Sequence, residues 1–174
     1  AGRAWRLLAE MDRRAIEPTV ITYNSIITAC DKGELWEQAL ASLAAMRLRG
    51  LLPTVVTYGA AVSACRVPGD WPRAVGLLQE MRSQGIAPNV ITYNAAISVC
   101  ESGENWALGV RLLQDMREHG LEPDVITYNG VISACENSGQ WEWALWLLHD
   151  MQQHGPLPDV MSYSAAISAC EKGG

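Results

Sequence analysis

Tyr23, Tyr58, Tyr93, Tyr128 and Tyr163 stand 35 residues apart, and so do Cys30, Cys65, Cys100, Cys135 and Cys170. The same step separates Met11, Met46, Met81, Met116 and Met151, and again Pro18, Pro53, Pro88, Pro123 and Pro158. A unit this short cannot bury its own apolar face, so it must lay that face on its neighbours. The expected architecture is therefore an all-α solenoid of stacked helical hairpins, a fold that offers a long binding surface.

In this register, full units run over 20–54, 55–89, 90–124 and 125–159. A partial unit at 1–19 matches the second half of a unit, and one at 160–174 matches the opening half, so the single domain reads as an excerpt of a longer array. In the unit 20–54, Tyr23, Ile26, Ile27 and Cys30 follow the i, i+3, i+4, i+7 pattern of one helical face. They predict a first helix over Thr22 to Asp31, with Thr22 as its N-cap. Past Asp31-Lys32-Gly33, the stripe Trp36, Ala39, Leu40, Leu43 and Met46 predicts a second helix from Glu34 to Arg49. Gly50, Gly85, Gly120 and Gly155 follow these second helices, where a left-handed residue is expected, and the prolines beyond keep the helix from resuming. Trp36, Trp71, Trp106 and Trp141 share one expected core site. Ala29, Ala64, Ala134 and Ala169 on the first helix and Ala39, Ala74, Gly109 and Ala144 on the second allow close approach.

Several kinds of chemistry are not supported. No run of 18 apolar residues is present to span a bilayer, and the opening Ala1-Gly2-Arg3-Ala4-Trp5 has neither a signal-peptide core nor transit-peptide character. Equivalent cysteines on stacked helices lie roughly 8–10 Å apart, beyond disulfide reach, so buried free thiols are expected. Without a C-x-x-C pair no zinc site is expected, and no other cofactor is implied. His119 and His154 precede helix ends, where a polar or positive group complements the dipole, and His149 has no partner at a useful spacing. The chain reads as a non-enzymatic binding module.

Val-Ile-Thr-Tyr-Asn at Val20–Asn24, Val90–Asn94 and Val125–Asn129 resembles the opening of a pentatricopeptide repeat. Ala39-Leu40 and Ala144-Leu145, the Met116 to Gly120 ending, and Pro123-Asp124 and Pro158-Asp159 agree with that family across the whole chain. The resemblance implies a right-handed superhelix that binds single-stranded RNA in a mitochondrion or plastid, one base per unit, in support of RNA processing, stability or translation. In the family, the residue after the Tyr and the last residue of the unit select the base, and the second residue is an aliphatic wedge between bases. The wedges here are Ile21, Val56, Ile91, Ile126 and Met161. The pairs are Asn24 with Thr54 (pyrimidine), Gly59 with Asn89 (adenine), and Asn94 with Asp124 and Asn129 with Asp159 (both uracil). Ser164 implies a purine, which gives pyrimidine-adenine-U-U-purine. At 100° per residue, Ile21, Asn24 and Thr28 also fall opposite the buried stripe. Thr28, Ser63, Ser98, Ser133 and Ser168 share that side, where amides and hydroxyls can discriminate base edges.

Charge pulls the other way. RNA affinity leans on phosphate neutralisation, yet the net charge is −6 and the pI about 5.0. The resemblance places phosphate contacts at Lys32 and Lys172, with Arg66 adding a little, while Val67, Ser102 and Asn137 replace the lysine elsewhere. Glu101, Glu136 and Glu171 would repel phosphate, and Arg13, Arg14, Arg47 and Arg49 lie late in the second helix, away from the groove. Leu108, Trp143 and Trp146 face outward on second helices as a convex apolar patch. A second function class thus stands open: a non-catalytic scaffold or structural subunit that holds proteins in a larger assembly.

Overall fold

The computed structural model describes residues 2–67 and 69–173; Ala1 and Gly174, the outer ends of the two partial units, lie outside them, as does Pro68. Ten helices and no strand occur among the described residues. The first helices of the units are α2 (Val20–Lys32), α4 (Val55–Ala64), α6 (Val90–Ser102), α8 (Val125–Asn137) and α10 (Val160–Gly173). The second helices are α1 (Gly2–Arg13), α3 (Trp36–Leu48), α5 (Trp71–Ser83), α7 (Trp106–Glu118) and α9 (Trp141–His154).

The helices form two layers. First helices pack on one another in sequence, α2 on α4 through to α10, and each packs on the second helices beside it. Consecutive second helices make no close backbone contact with each other, so the first-helix row is the inner, tighter side of the stack. Small side chains permit this: a Cβ on Gly130 of α8 would come within 2.9 Å of Ile97 Cγ2 on α6. The repeated residues are the packing skeleton. Tyr23, Tyr58, Tyr93 and Tyr128 are fully buried with Cys30, Cys65, Cys100 and Cys135, and with Met46, Met81, Met116 and Met151. The five cysteines are free, as the spacing predicts. Burial pushes the Cys65 thiol up to about 11 and Cys100 and Cys135 up to about 12.

Three expectations need correcting. The first helix begins at Val20, and its N-cap is Thr19, not Thr22. Thr22 is instead the third helical residue, whose hydroxyl accepts the Thr19 N–H while the Thr19 hydroxyl accepts the Thr22 N–H. That reciprocal box satisfies two orphan donors at once. The second helix is also shorter, Trp36 to Leu48, because Glu34 is left-handed at φ 57°. The tryptophans at its start are not core: Trp71 and Trp141 are more than a third exposed and Trp36 and Trp106 only partly buried. The Trp71 ring lies against the turn after α6 in the following unit, where its Cδ1 would be 3.2 Å from a Cβ on Gly103, and Trp141 lies likewise against Gly173 at the end of α10.

Gly50, Gly85 and Gly120 are left-handed as expected, at φ 72–74°. In each case the glycine N–H and the next residue's N–H return to the helix, as when Gly50 bonds the Arg47 carbonyl and Leu51 that of Met46. Gly155 departs from this, with φ −124° and ψ −163°. Pro156 follows it and forces an extended residue before the ring. Glycine is still required, because a Cβ there would lie 2.7 Å from the Tyr128 ring.

Candidate functional site

Of the side chains that face outward from the first helices, the row at the second position of each unit is chemically distinctive. Ile21, Val56, Ile91, Ile126 and Met161 are 59–77% exposed, one per unit. Packing does not explain the first four, since α2, α4, α6 and α8 expose no other large apolar side chain, whereas α10 also exposes Val160, Tyr163 and Ile167. Between Ile21 and Val56 lies an open recess also lined by Asn24, Thr28 and Lys32.

The structure brings the paired polar positions together, and it does so through the helix cap. Thr54, Asn89 and Asp124, each the last residue of its unit, are the N-caps of α4, α6 and α8. Asp159 does the same for α10, accepting the Ser162 N–H at 2.9 Å. Each cap therefore sits beside the residue after the Tyr of the preceding first helix, an Asn in three units and Gly59 in the other. Asn94 Nδ2 donates to Asp124 Oδ1 at 3.1 Å and Oδ2 at 3.3 Å, and Asn129 Nδ2 donates to Asp159 Oδ1 at 3.2 Å. Asn24 and Thr54 meet through Thr57, whose hydroxyl donates to Asn24 Oδ1 at 2.6 Å and lies 3.1 Å from the Thr54 hydroxyl. Gly59 presents no side chain, and a Cβ there would sit 3.8 Å from Thr92 Oγ1, which donates to Asn89 Oδ1 at 2.9 Å. Ser164 is exposed on α10.

Burial raises the Asp124 carboxyl, but bonds from the Thr127 N–H and hydroxyl and from Asn94 outweigh it and hold it below the usual carboxylate range. At Asp159 the Ser162 N–H leads, with Asn129 and the Ser162 hydroxyl, in the same direction. Both are ionised acceptors at neutral pH, and each takes the NH2 of the neighbouring amide.

The other expected groove groups divide. Thr28 lines the recess, but the Ser63 hydroxyl donates to Asp31 at 3.1 Å and that of Ser168 to Glu136 at 2.6 Å. These serines staple one unit to the previous one and are not open readers. Of the cations, Lys32 lines the recess, Arg66 is exposed in the turn after α4, and Lys172 Nζ is 2.9 Å from Glu136. Burial raises the Glu136 carboxyl, but the Ser168 and Lys172 bonds bring it below its usual range. Its charge is thereby already part-neutralised. On the second helices, Trp143 and Trp146 are exposed, with ring centroids 5.6 Å apart, and Trp106 stacks 5.3 Å from Trp143. Leu108 packs against the core instead of completing that patch.

A polar spine escapes the sequence reading altogether. Arg82 donates to the Tyr93 hydroxyl and pairs with Asp115, to which Tyr93 donates at 2.7 Å. Arg117, Tyr128 and Asp150 repeat this, with Arg117 to Asp150 at 2.6 Å and Tyr128 to Asp150 at 2.7 Å. Arg47, Tyr58 and Glu80 form a looser version, Tyr58 reaching Glu80 at 3.3 Å. Each triad clamps the second helix of one unit to both helices of the next. The signal was present, since Arg47, Arg82 and Arg117 each follow one of the periodic methionines.

Profiles described as pentatricopeptide repeat domain match residues 6–66, 43–102 and 111–172, and the single-repeat profile matches 91–121. Among solved structures, the pentatricopeptide repeat protein PPR10 in complex with an 18-nt psaJ RNA element superposes with TM-score 0.83 at 30% identity, over 98% of this chain and 26% of that one. PPR10 from maize gives 0.77 at 32% identity over 98% and 24%. Nuclear proteinaceous RNase P 2 from A. thaliana gives 0.81 at 13% identity over 99% and 39%, a likeness of fold alone. The chain thus spans about a quarter of the length of the PPR10 chains. No curated protein matches it.

Proposed function

This chain belongs to the pentatricopeptide repeat family, and on that premise we propose that its first-helix groove is a non-catalytic, sequence-selective binding site for single-stranded RNA. The observation that carries the proposal is the row of five exposed aliphatic side chains, Ile21, Val56, Ile91, Ile126 and Met161. Flat apolar surfaces spaced one per unit are what bases supply when unstacked. Beside each wedge of the full units stands a polar group that can read a base edge: the Asn24 amide with Thr54, Asn89 opposite Gly59, and the carboxylate-paired amides of Asn94 and Asn129. The PPR10 complex, with RNA on a homologous array, supports the same assignment. The target reads pyrimidine-adenine-U-U-purine, with Lys32 and Arg66 open to phosphates and Lys172 reaching them only by leaving Glu136. The family places such a factor in a mitochondrion or plastid, acting in RNA processing, stability or translation.

Fluorescence anisotropy at low salt, with an RNA bearing that core and a scrambled control, tests the assignment. Preference for the designed core is expected; equal, negligible binding of both would sink it. The exposed Trp143 and Trp146 favour a second reading, in which the outer face holds a protein partner in an assembly. Replacing both by serine should then release a co-purifying protein, and retention of every partner would count against that reading.

A further inference from the structure

We propose that the hydroxyl at the third position of each unit, on Thr57, Thr127 and Ser162, sets which edge the preceding unit's asparagine shows to its base. It is then a specificity-determining positioning residue that acts one unit upstream. The inference rests on the base-reading assignment above.

A primary amide has a donating and an accepting end of nearly the same shape, so its orientation is decided by neighbours. The Thr127 hydroxyl lies 2.6 Å from Asn94 Oδ1, the Ser162 hydroxyl 2.6 Å from Asn129 Oδ1, and the Thr57 hydroxyl 2.6 Å from Asn24 Oδ1. All three hydroxyl-bearing residues are fully buried. Each oxygen also accepts a backbone N–H from the cap residue, that of Asp124 at 3.2 Å, Asp159 at 3.1 Å and Thr54 at 2.9 Å. With its acceptor side committed to the backbone, the Thr57 hydroxyl turns its proton towards the Asn24 oxygen, and those of Thr127 and Ser162 share theirs between the asparagine oxygen and the cap carboxylate, Asp124 Oδ1 at 2.8 Å and Asp159 Oδ1 at 2.9 Å.

At Asn94 and Asn129 the cap is a carboxylate, and the amide is closed from both ends. Turning it over would set its carbonyl oxygen against the Asp124 or Asp159 carboxylate and leave the hydroxyl proton to that carboxylate alone. At Asn24 the cap is Thr54, whose hydroxyl can act as donor or acceptor towards Thr57. There the amide can turn over by reversing the chain of hydroxyl protons, with every group still bonded. Opposite Gly59 there is no amide to orient, and the Thr92 hydroxyl bonds the cap residue Asn89 without a second acceptor across the units.

The test compares the chain with its Thr127→Val and Thr127→Ser variants, using RNAs that carry each of the four bases at the third or at the fourth position of the core. Thr127→Val should weaken the third-base preference for U by about tenfold, the net worth of one hydrogen bond, and leave the fourth-base preference intact. Thr127→Ser should keep both, because Ser162 makes the same bonds in the next unit. A folded Thr127→Val protein that still selects U at the third base overturns the proposal. Should Thr127→Val fail to fold, Ser162→Ala puts the same question to the fourth base, with the third as control. An RNA-free readout separates this proposal from the assignment it rests on. In 15N NMR the two Asn94 amide protons should be widely split in the original chain and converge in the valine variant. Lack of base preference in the original chain would sink the RNA assignment, whereas unchanged amide shifts in the variant would sink the orienting role.

Discussion

Tyr23 and Tyr128 fill the same place in their units and are equally buried, yet their hydroxyls differ completely. Tyr128 donates to Asp150 and accepts from Arg117, while the Tyr23 hydroxyl is buried with no partner, because Asp12 stands where later units carry arginine and Ala45 where they carry an acid. The reading edge has the same gradient. Units 90–124 and 125–159 close their asparagines with carboxylates, and units 20–54 and 55–89 use a hydroxyl and a glycine. The comparison teaches that ring and thiol burial suffice to fold a unit, and that polar order is added unit by unit on top.

The largest break should come at the spine. Asp150→Ala leaves the part-buried Arg117 and the fully buried Tyr128 hydroxyl without their anion and should cost about 3 kcal/mol in urea denaturation. Tyr128→Phe should cost roughly 1–2 kcal/mol, whereas Tyr23→Phe, which deletes an unsatisfied hydroxyl, should be neutral or slightly stabilising. Equal losses at the two tyrosines would erase the distinction. Gly155→Ala should cost about 2 kcal/mol by overpacking against Tyr128, and Gly120→Ala, strained at φ 72° but facing open space, about 1 kcal/mol.

The spine also titrates. Burial, with the Asp150 bond, raises the Tyr128 hydroxyl, and burial, with the Asp115 bond, pushes Tyr93 up to about 12. A raised group holds its stabilisation in full below its unfolded pKa of about 10 and loses it as pH rises through the folded value. Denaturation midpoints should therefore fall between about pH 10 and 12. Burial raises the Asp115 and Asp150 carboxyls, but the Arg82 and Arg117 bonds outweigh it and leave both below their usual value. Their stabilisation is present above about pH 4 and lost as pH falls through the lowered values. Burial raises the Tyr23 hydroxyl as well, so Tyr23→Phe should leave the acid limb unchanged and make the alkaline limb shallower.

The subtlest difference concerns bases. Asn94→Ser and Asn129→Ser should each shift preference from U towards purine at one base by about tenfold, or about 1.4 kcal/mol, and Asn24→Ser by less, since its amide is not closed by a carboxylate. A uniform loss across all bases would indicate misfolding instead.

The sequence shows the period, the buried Tyr, Cys and Met, and the outward wedges, because each depends on repetition or on spacing within one helix. It hides what depends on register between units. Arg117, Tyr128 and Asp150 lie 11 and 22 residues apart on three different helices, a spacing no helical period announces. Thr22 looks like a cap because it precedes the apolar stripe, but the cap lies three residues earlier, and only the reciprocal hydroxyl geometry tells the two apart. Trp71 and Trp141 resemble core by residue type, yet as the first residues of their helices they cover a turn and stay part-exposed.

Helix thermodynamics also limits the alphabet of the groove. The last residue of each unit reaches the preceding asparagine directly or, at Thr54, through Thr57, or in one unit stands beside Gly59, and it also starts the next helix. Thr, Asn and Asp, the residues found there, are among the good N-caps, and an apolar replacement costs about 1 kcal/mol of helix stability whatever the groove binds. A change of letter at that position is therefore acceptable to the fold only when the new letter can also open a helix.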